Sequence, residues 1–249
     1  MIDIHTHILP GMDDGASSWE EALEMAQTAA DSGTEILAAT SHGNFPGQNN
    51  RNWNLEYRKR FSRFERLLER EKVDLKLVSG MEIFAGDDVA DRLKRGELMT
   101  VNQSRYPLIE FAMDTGAYYI YRVMDRLLDA GYVPVLAHPE RYHCVQRVPE
   151  HVYEWYRMGV VIQMNKGSLL GRFGERVQRT ADSMLRHRLV AAAASDAHGS
   201  FIRTVSMEGL KKKLAVRYGS GCPWLLLEEN PRRILENRKV IWEEPLPYD

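Results

Sequence analysis

A chain of 249 residues, 44% hydrophobic and 27% charged, has enough apolar material for one large α/β core. Its net charge of −2 argues against a general polyanion binder, and the basic clusters at 58–70 and 211–213 carry the apolar spacing of solvated helix faces. Two cysteines without framework spacing, the lack of an apolar run near the roughly 20 residues of a membrane span, and a start that does not look like a signal peptide lead us to expect a soluble, cytoplasmic protein with reduced thiols.

Strands are predicted at 1–4, 35–41, 75–82, 106–111, 133–137, 160–164 and 189–195, several of them continuous Val/Ile/Leu/Ala runs of the kind covered on both faces. The first helix follows a capping signal at Ser17-Ser18-Trp19-Glu20, shows an apolar face at Trp19, Ala22, Leu23 and Ala26, and stops near Gly33. Further helices are expected at 53–71, 87–95, 118–130, 149–157, 176–187 and 206–218. Alternation of this kind implies βαβ units and parallel pairing. About seven such units point to a closed or nearly closed β/α barrel in a single domain over 1–249. A doubly wound open sheet is the alternative, but no GxGxxG follows the first strand and no Walker-type loop is present.

In a β/α barrel the C-terminal strand ends surround one active site, so the residues after each predicted strand are the functional candidates. The first strand runs into Asp3-Ile4-His5-Thr6-His7, whose alternating histidines can reach one ion, and then Asp13-Asp14-Gly15. The later strands end at His42, Glu82, Glu110, His138-Pro139-Glu140-Arg141, Gln163-Met164-Asn165 and Asp196-Ala197-His198. Glu82 and Glu110 interrupt apolar runs, where a carboxylate needs a partner or a metal. Imidazoles with carboxylates suit first-row divalent metals. Nine candidate ligands exceed the four or five of one catalytic zinc, so two or three ions sharing a carboxylate are expected, with Glu82 as the candidate bridge. His143, His151 and His187 fall outside this set and are expected at the polar surface.

Residues 1–15, Gly80-Met81-Glu82, Leu108-Ile109-Glu110-Phe111, 134–142, 167–174, 194–198 and 230–237 together carry a resemblance covering essentially the whole chain. The pattern resembles the polymerase-and-histidinol-phosphatase (PHP) superfamily, and within it the bacterial metal-dependent protein-tyrosine phosphatases encoded with capsule and exopolysaccharide genes. That resemblance implies an α/β fold, a distorted seven-stranded (β/α)7 TIM-like barrel, with a trinuclear centre. One ion would be held by His5, His7, Glu82 and Asp196, and a second by Glu82, Glu110 and His138. The third would take His42, His198 and an aspartate of the Asp13-Asp14 pair, Asp14 being favoured though the sequence does not separate them. Arg141 and Arg203 match the family's phosphate-binding arginines.

The implied cofactors are two to three divalent ions, manganese or iron, with zinc, magnesium or cobalt as alternatives. The implied reaction is hydrolysis of protein phosphotyrosine by a metal-bridging hydroxide, with a bacterial tyrosine autokinase, dephosphorylated on its C-terminal tyrosine cluster, as partner. No role for nucleic acid or membrane insertion is expected, and oligomeric state is not readable. A thiolate route is excluded because Glu150 and Glu228 stand six residues after Cys144 and Cys222, where that signature needs arginine. The runner-up is a histidinol-phosphatase-like small-molecule phosphoesterase; a nuclease and a non-catalytic regulatory domain are weaker alternatives. The loop after the second strand departs from the family: Ser41-His42-Gly43 replaces a frequent proline and second histidine, and 44–54 is rich in Asn and Gly. Phe45, Phe84, Tyr118, Tyr119, Tyr121 and Tyr142 are candidates to flank an aromatic leaving group, and Cys144 is expected to be a loop thiol.

Overall fold

The computed structural model describes residues 1–248. Its strands are β1 (Ile2–Thr6), β2 (Ile36–Ala39), β3 (His42–Gly43), β4 (Lys76–Ser79), β5 (Glu82–Phe84), β6 (Leu108–Glu110), β7 (Val135–Ala137), β8 (Val161–Asn165) and β9 (Ala192–Ala194). Every ladder is parallel, in two sheets of order β1-β2-β4 and β3-β5-β6-β7-β8-β9. All seven expected strands are found, but the second and third are each broken in two. At the breaks, Glu82 N–H is shared between the carbonyls of Thr40 (3.2 Å) and Ser41 (3.3 Å). The Tyr57 hydroxyl sits between both breaks, donating to Ala39 O (2.7 Å) and accepting from Gly80 N (3.0 Å). Gly80 is required there, because a Cβ would lie 2.8 Å from Thr40 Cγ2. The two sheets also meet through β1, whose end bridges Thr6 to Ala197 just past β9.

The helices are α1 (Trp19–Asp31), α2 (Asn50–Arg70), α3 (Val89–Lys94), α4 (Ala117–Asp129), α5 (His143–Arg147), α6 (Glu150–Arg157), α7 (Lys166–Leu169), α8 (Glu175–Arg186), α9 (Glu208–Tyr218), α10 (Gly221–Trp224) and α11 (Asn230–Leu235). The α1 cap sits one residue later than expected: Ser18 Oγ accepts from Glu21 N (3.2 Å), and Glu21 returns to Ser17 N (2.8 Å). The Asn-rich stretch begins α2, with Asn49 as N-cap. That helix buries Trp53, Tyr57, Phe64 and Leu68, which leaves its basic residues on the outer side. The short helices α5, α7, α10 and α11 carry too little periodic pattern to be foreseen. Cys144 accordingly lies half-buried in α5, a correction to its placement in a loop.

One large apolar core packs the helices on the sheets, drawing from nearly the whole chain. A second, smaller cluster holds alternating strand residues such as Ile2, Ile4, Ala38, Leu108, Val135 and Val161. Val101, Tyr106, Ile234 and Val240 close it from the other end, so the polar strand ends open on one side only. Among the described residues, no helix is long and apolar enough to cross a membrane.

Candidate metal centre

The register of β1 on β2 pairs Asp3 with Leu37 and Thr6 with Ala39, so β1 carries one extra residue, a β-bulge. Strict alternation would keep His5 on the side away from Ile2 and Ile4. The bulge turns it toward Gln163, which shares a face of β8 with Val161, a member of the same inner cluster as Ile2. Buried Asp3 pins this distortion, its Oδ1 accepting from His5 N (3.3 Å) and from Ser195 N past β9 (3.0 Å).

Glu82, the first residue after the break in the third strand, lies at the middle of the site. Its Oε2 is 3.1 Å from His5 Nε2, 3.2 Å from His7 Nε2 and 3.0 Å from His42 Nδ1, and its Oε1 is 2.9 Å from His138 Nε2. Asp196 Oδ1 faces His5 (3.5 Å), His7 (3.4 Å) and His198 Nδ1 (3.5 Å). Its other oxygen meets Asn165 Nδ2, Arg203 and Arg141 (3.4 Å). Glu110 Oε1 is 2.7 Å from His42 Nδ1.

The aspartate pair divides. Asp14 Oδ1 stands 3.5 Å from both His42 Nε2 and His198 Nε2, on a side chain that is 71% exposed. Asp13 stands behind the rings: its Oδ2 accepts from His7 Nδ1 (2.8 Å) and His42 N (2.8 Å), and its Oδ1 from Gly15 N (3.0 Å). Gln163 does the same for His5, accepting from Nδ1 (2.9 Å) while its own amide nitrogen is fixed on Met164 O (2.8 Å). Both leave the Nε2 atoms aimed inward. Gln163 and Asn165, which strand-end reading left without roles, and Asp13, which stood as the alternative ligand to Asp14, each hydrogen-bond to a member of the cluster. A polar Gln inside the apolar run 160–164 was the available signal.

The donor set fits divalent cations. Four overlapping groups could each hold one: His7, Asp14, His42 and His198; His5, His7 and Asp196; His5, Glu82 and His138; and His42, Glu82 and Glu110. Glu82 Oε2, Asp196 Oδ1 and His198 Nε2 are buried without a hydrogen-bond partner, which is costly unless something else satisfies them. Burial pushes the His138 ring down to about 4 and, with His7 beside it, the His198 ring down to about 3. Both are then neutral, the form that ligates a metal. Burial pushes the Glu82 carboxyl up, but the rings of His5, His138 and His42 outweigh that and hold it well below the usual range.

The remaining candidates separate by position. Tyr142 is fully buried, its hydroxyl donating to Ala137 O (2.9 Å) and accepting from Phe111 N (3.1 Å). Tyr118 and Tyr121 are exposed on α4. His151 stacks on Trp155 and His187 on Tyr248, and His143 is exposed.

Residues 1–236 match the CpsB/CapC family of capsular polysaccharide synthesis. The chain belongs to this family. Among CpsB/CapC relatives it is 32% identical to the tyrosine-protein phosphatase YwqE of Bacillus subtilis, over 99% of this chain and 96% of that one. It is 30% identical to the tyrosine-protein phosphatase CpsB of Streptococcus pneumoniae, over 96% of this chain and all of that protein. A solved structure from work on YwqE and CpsB, described as metal-dependent tyrosine phosphatases, superposes over the full length of both chains with a TM-score of 0.93 and 32% identity. Dihydropyrimidinase from Brevibacillus agri shares the fold alone, at 12% identity, a TM-score of 0.59, and coverage of 98% of this chain and 73% of that one.

Proposed function

We propose that this CpsB/CapC protein is a metal-dependent phosphatase acting on phosphotyrosine in proteins. The observation that carries the reading is convergence: five histidines face Glu82 or Asp196, Glu110 and Asp14 stand against those same rings, and two guanidiniums meet the outer oxygen of Asp196. His5, His7, Asp14, His42, Glu82, Glu110, His138, Asp196 and His198 would hold two to three ions, manganese or iron, with Glu82 shared between them. When bound, such ions supply Lewis acidity toward phosphoryl oxygens and a nucleophile at neutral pH.

The chain's own groups do the rest. Asp13 and Gln163 keep the Nδ1 protons of His7 and His5 directed away from the centre, so that the Nε2 lone pairs face it. Arg141, its guanidinium 4.6 Å over the Phe173 ring, and Arg203 present forked donors that match the non-bridging oxygens of a phosphate. A phenolate leaves with a pKa near about 10 and needs less protonation than an alkoxide, so the scheme requires no dedicated general acid. We read the two sheets as one distorted seven-stranded barrel of a single domain, whose strand ends make the site. The substrate we assign is a bacterial tyrosine autokinase, met in the cytoplasm and dephosphorylated on its C-terminal tyrosine cluster.

The test is elemental analysis of the purified protein coupled to phosphate release from a phosphotyrosine peptide and, side by side, from histidinol phosphate. Metal-loaded protein that releases phosphate from neither, or only from histidinol phosphate, refutes the reading.

A further inference from the structure

Directly beside the proposed ligands lie two of the aromatic candidates, Phe45 and Phe84, as a pair. The Phe45 and Phe84 rings stack with centroids 5.1 Å apart, and Phe45 presents itself edge-on to the His42 ring at 5.5 Å. Each phenylalanine is tied in sequence to a proposed ligand, Phe45 three residues after His42 and Phe84 two residues after Glu82 on β5.

The pair is held rigidly. Asn44 adopts a left-handed backbone (φ 69°) and donates from Nδ2 to Phe84 O (2.8 Å), while its Oδ1 accepts from Asn50 (3.2 Å) and Arg92. Phe45 N donates to Gln48 Oε1 (3.1 Å), and Trp53 Nε1 ties down His42 O (2.9 Å). Phe45 nonetheless remains 40% exposed. A loop that spends an unfavourable backbone conformation and several side-chain hydrogen bonds to hold a half-exposed ring beside a charged cluster is built to offer that ring to something.

We infer that the Phe45–Phe84 pair is the wall against which the aromatic ring of the substrate packs, and that it selects aryl over alkyl phosphomonoesters. The inference rests on the phosphatase reading and assigns the part of that site which recognises the leaving group. Other aromatics nearby are committed elsewhere: the Tyr142 hydroxyl is spent on backbone, and Tyr119 packs on Phe111 and under Arg122.

The test uses the full metal-loaded chain, the parent beside Phe45→Leu and Phe45→Trp. Binding of phenylphosphonate and methylphosphonate is measured by calorimetry, and kcat/KM on one peptide carrying phosphotyrosine or phosphoserine. The phenyl-to-methyl affinity ratio should fall about 3- to 10-fold in Phe45→Leu, the worth of one aromatic contact, and stay near the parent's in Phe45→Trp. The phosphotyrosine preference should fall in parallel, chiefly through KM. Equal ratios in parent and Phe45→Leu overturn the inference even if phosphotyrosine is hydrolysed. A parent that prefers phenylphosphonate through Phe45 yet releases no phosphate from phosphotyrosine instead refutes the phosphatase reading and leaves the aryl wall standing.

Discussion

Replacing each aspartate of the Asp13-Asp14 pair by asparagine should give two different defects. The Asp13 carboxylate is nearly buried and accepts three N–H groups, from His7, His42 and Gly15. An amide has one acceptor oxygen and turns an NH2 toward at least one of those donors. With unpaired buried donors costing about 1–3 kcal/mol each and a charge-assisted bond lost as well, Asp13→Asn should cost about 2–4 kcal/mol. In a chain of this length that lowers Tm by roughly 5–15 °C. Burial pushes the Asp13 carboxyl up, but the charge and hydrogen bond of His7 outweigh it and hold it well below 3.8. Its contribution is therefore fully present above pH 3.8 and is lost as pH falls below that value, so in metal-free protein the parent and Asp13→Asn should converge in acid. Asp14 is exposed and makes only its two 3.5 Å approaches to ring nitrogens, so Asp14→Asn should shift stability by no more than about 0.5 kcal/mol. It should instead lower the metal content per chain. Differential scanning calorimetry after chelation, with elemental analysis of the reloaded proteins, reads both effects. An Asp13→Asn protein with parental Tm, or an Asp14→Asn protein with parental metal content, refutes the division of roles.

Three further changes test other parts of the structure. Arg203→Lys keeps the charge but loses the fork that meets Asp196, and should raise KM for phosphotyrosine peptides and the inhibition constant of inorganic phosphate together, each about tenfold; parental values for both would remove Arg203 from phosphate recognition. Tyr57→Phe strips the hydroxyl that holds both strand breaks and should cost about 1–3 kcal/mol in urea unfolding; a midpoint like the parent's would show the breaks to be held otherwise. Burial pushes the Glu140 carboxyl up from 4.5 to about 7, so the folded chain keeps a proton there that the unfolded chain releases, and stability falls as pH rises through that window. Glu140→Gln should flatten the slope of chemical stability between pH 4.5 and 7, and an unchanged slope would place the proton elsewhere.

Periodicity was enough to find the seven strand regions and seven of the helices, because buried parallel strands and amphipathic helices each leave a repeating apolar signature. The candidate ligands were legible for a related reason: charged residues at the ends of apolar runs have few bland explanations. What stayed hidden depends on tertiary contact. Nothing in residues 35–43 or 75–84 announces that both strands break, since the cause is a hydroxyl from Tyr57 on another element. Asp13 and Asp14 are chemically equivalent in the sequence and differ only in where the turn at Gly15 aims them. Gly15 itself has no room for a side chain, a Cβ there falling 2.0 Å from His7 O. The bulge in β1 was equally silent, and with it the reason that His5 faces Gln163.

These irregularities share one location and one effect. His138 (φ 37°) and Asp196 (φ 50°) both hold left-handed backbone at strand ends, a conformation costing about 1–3 kcal/mol for residues other than glycine. Glycine would relieve the strain and abolish the ligand, so the surroundings must over-determine the geometry instead. At His138 they do so through Tyr142, which clamps Ala137 O to Phe111 N, and Glu140, whose Oε1 holds Asn165 N. At Asp196 the clamp is β1 itself: Asp196 N donates to His5 O and His7 N to Ala197 O, both at 2.9 Å. The β1 bulge, the two strand breaks and the two left-handed residues all fall at the positions whose side chains cluster around Glu82 and Asp196. Regular strands would be more stable and would leave these side chains facing apart; the departures from regularity are what bring the candidate metal ligands together.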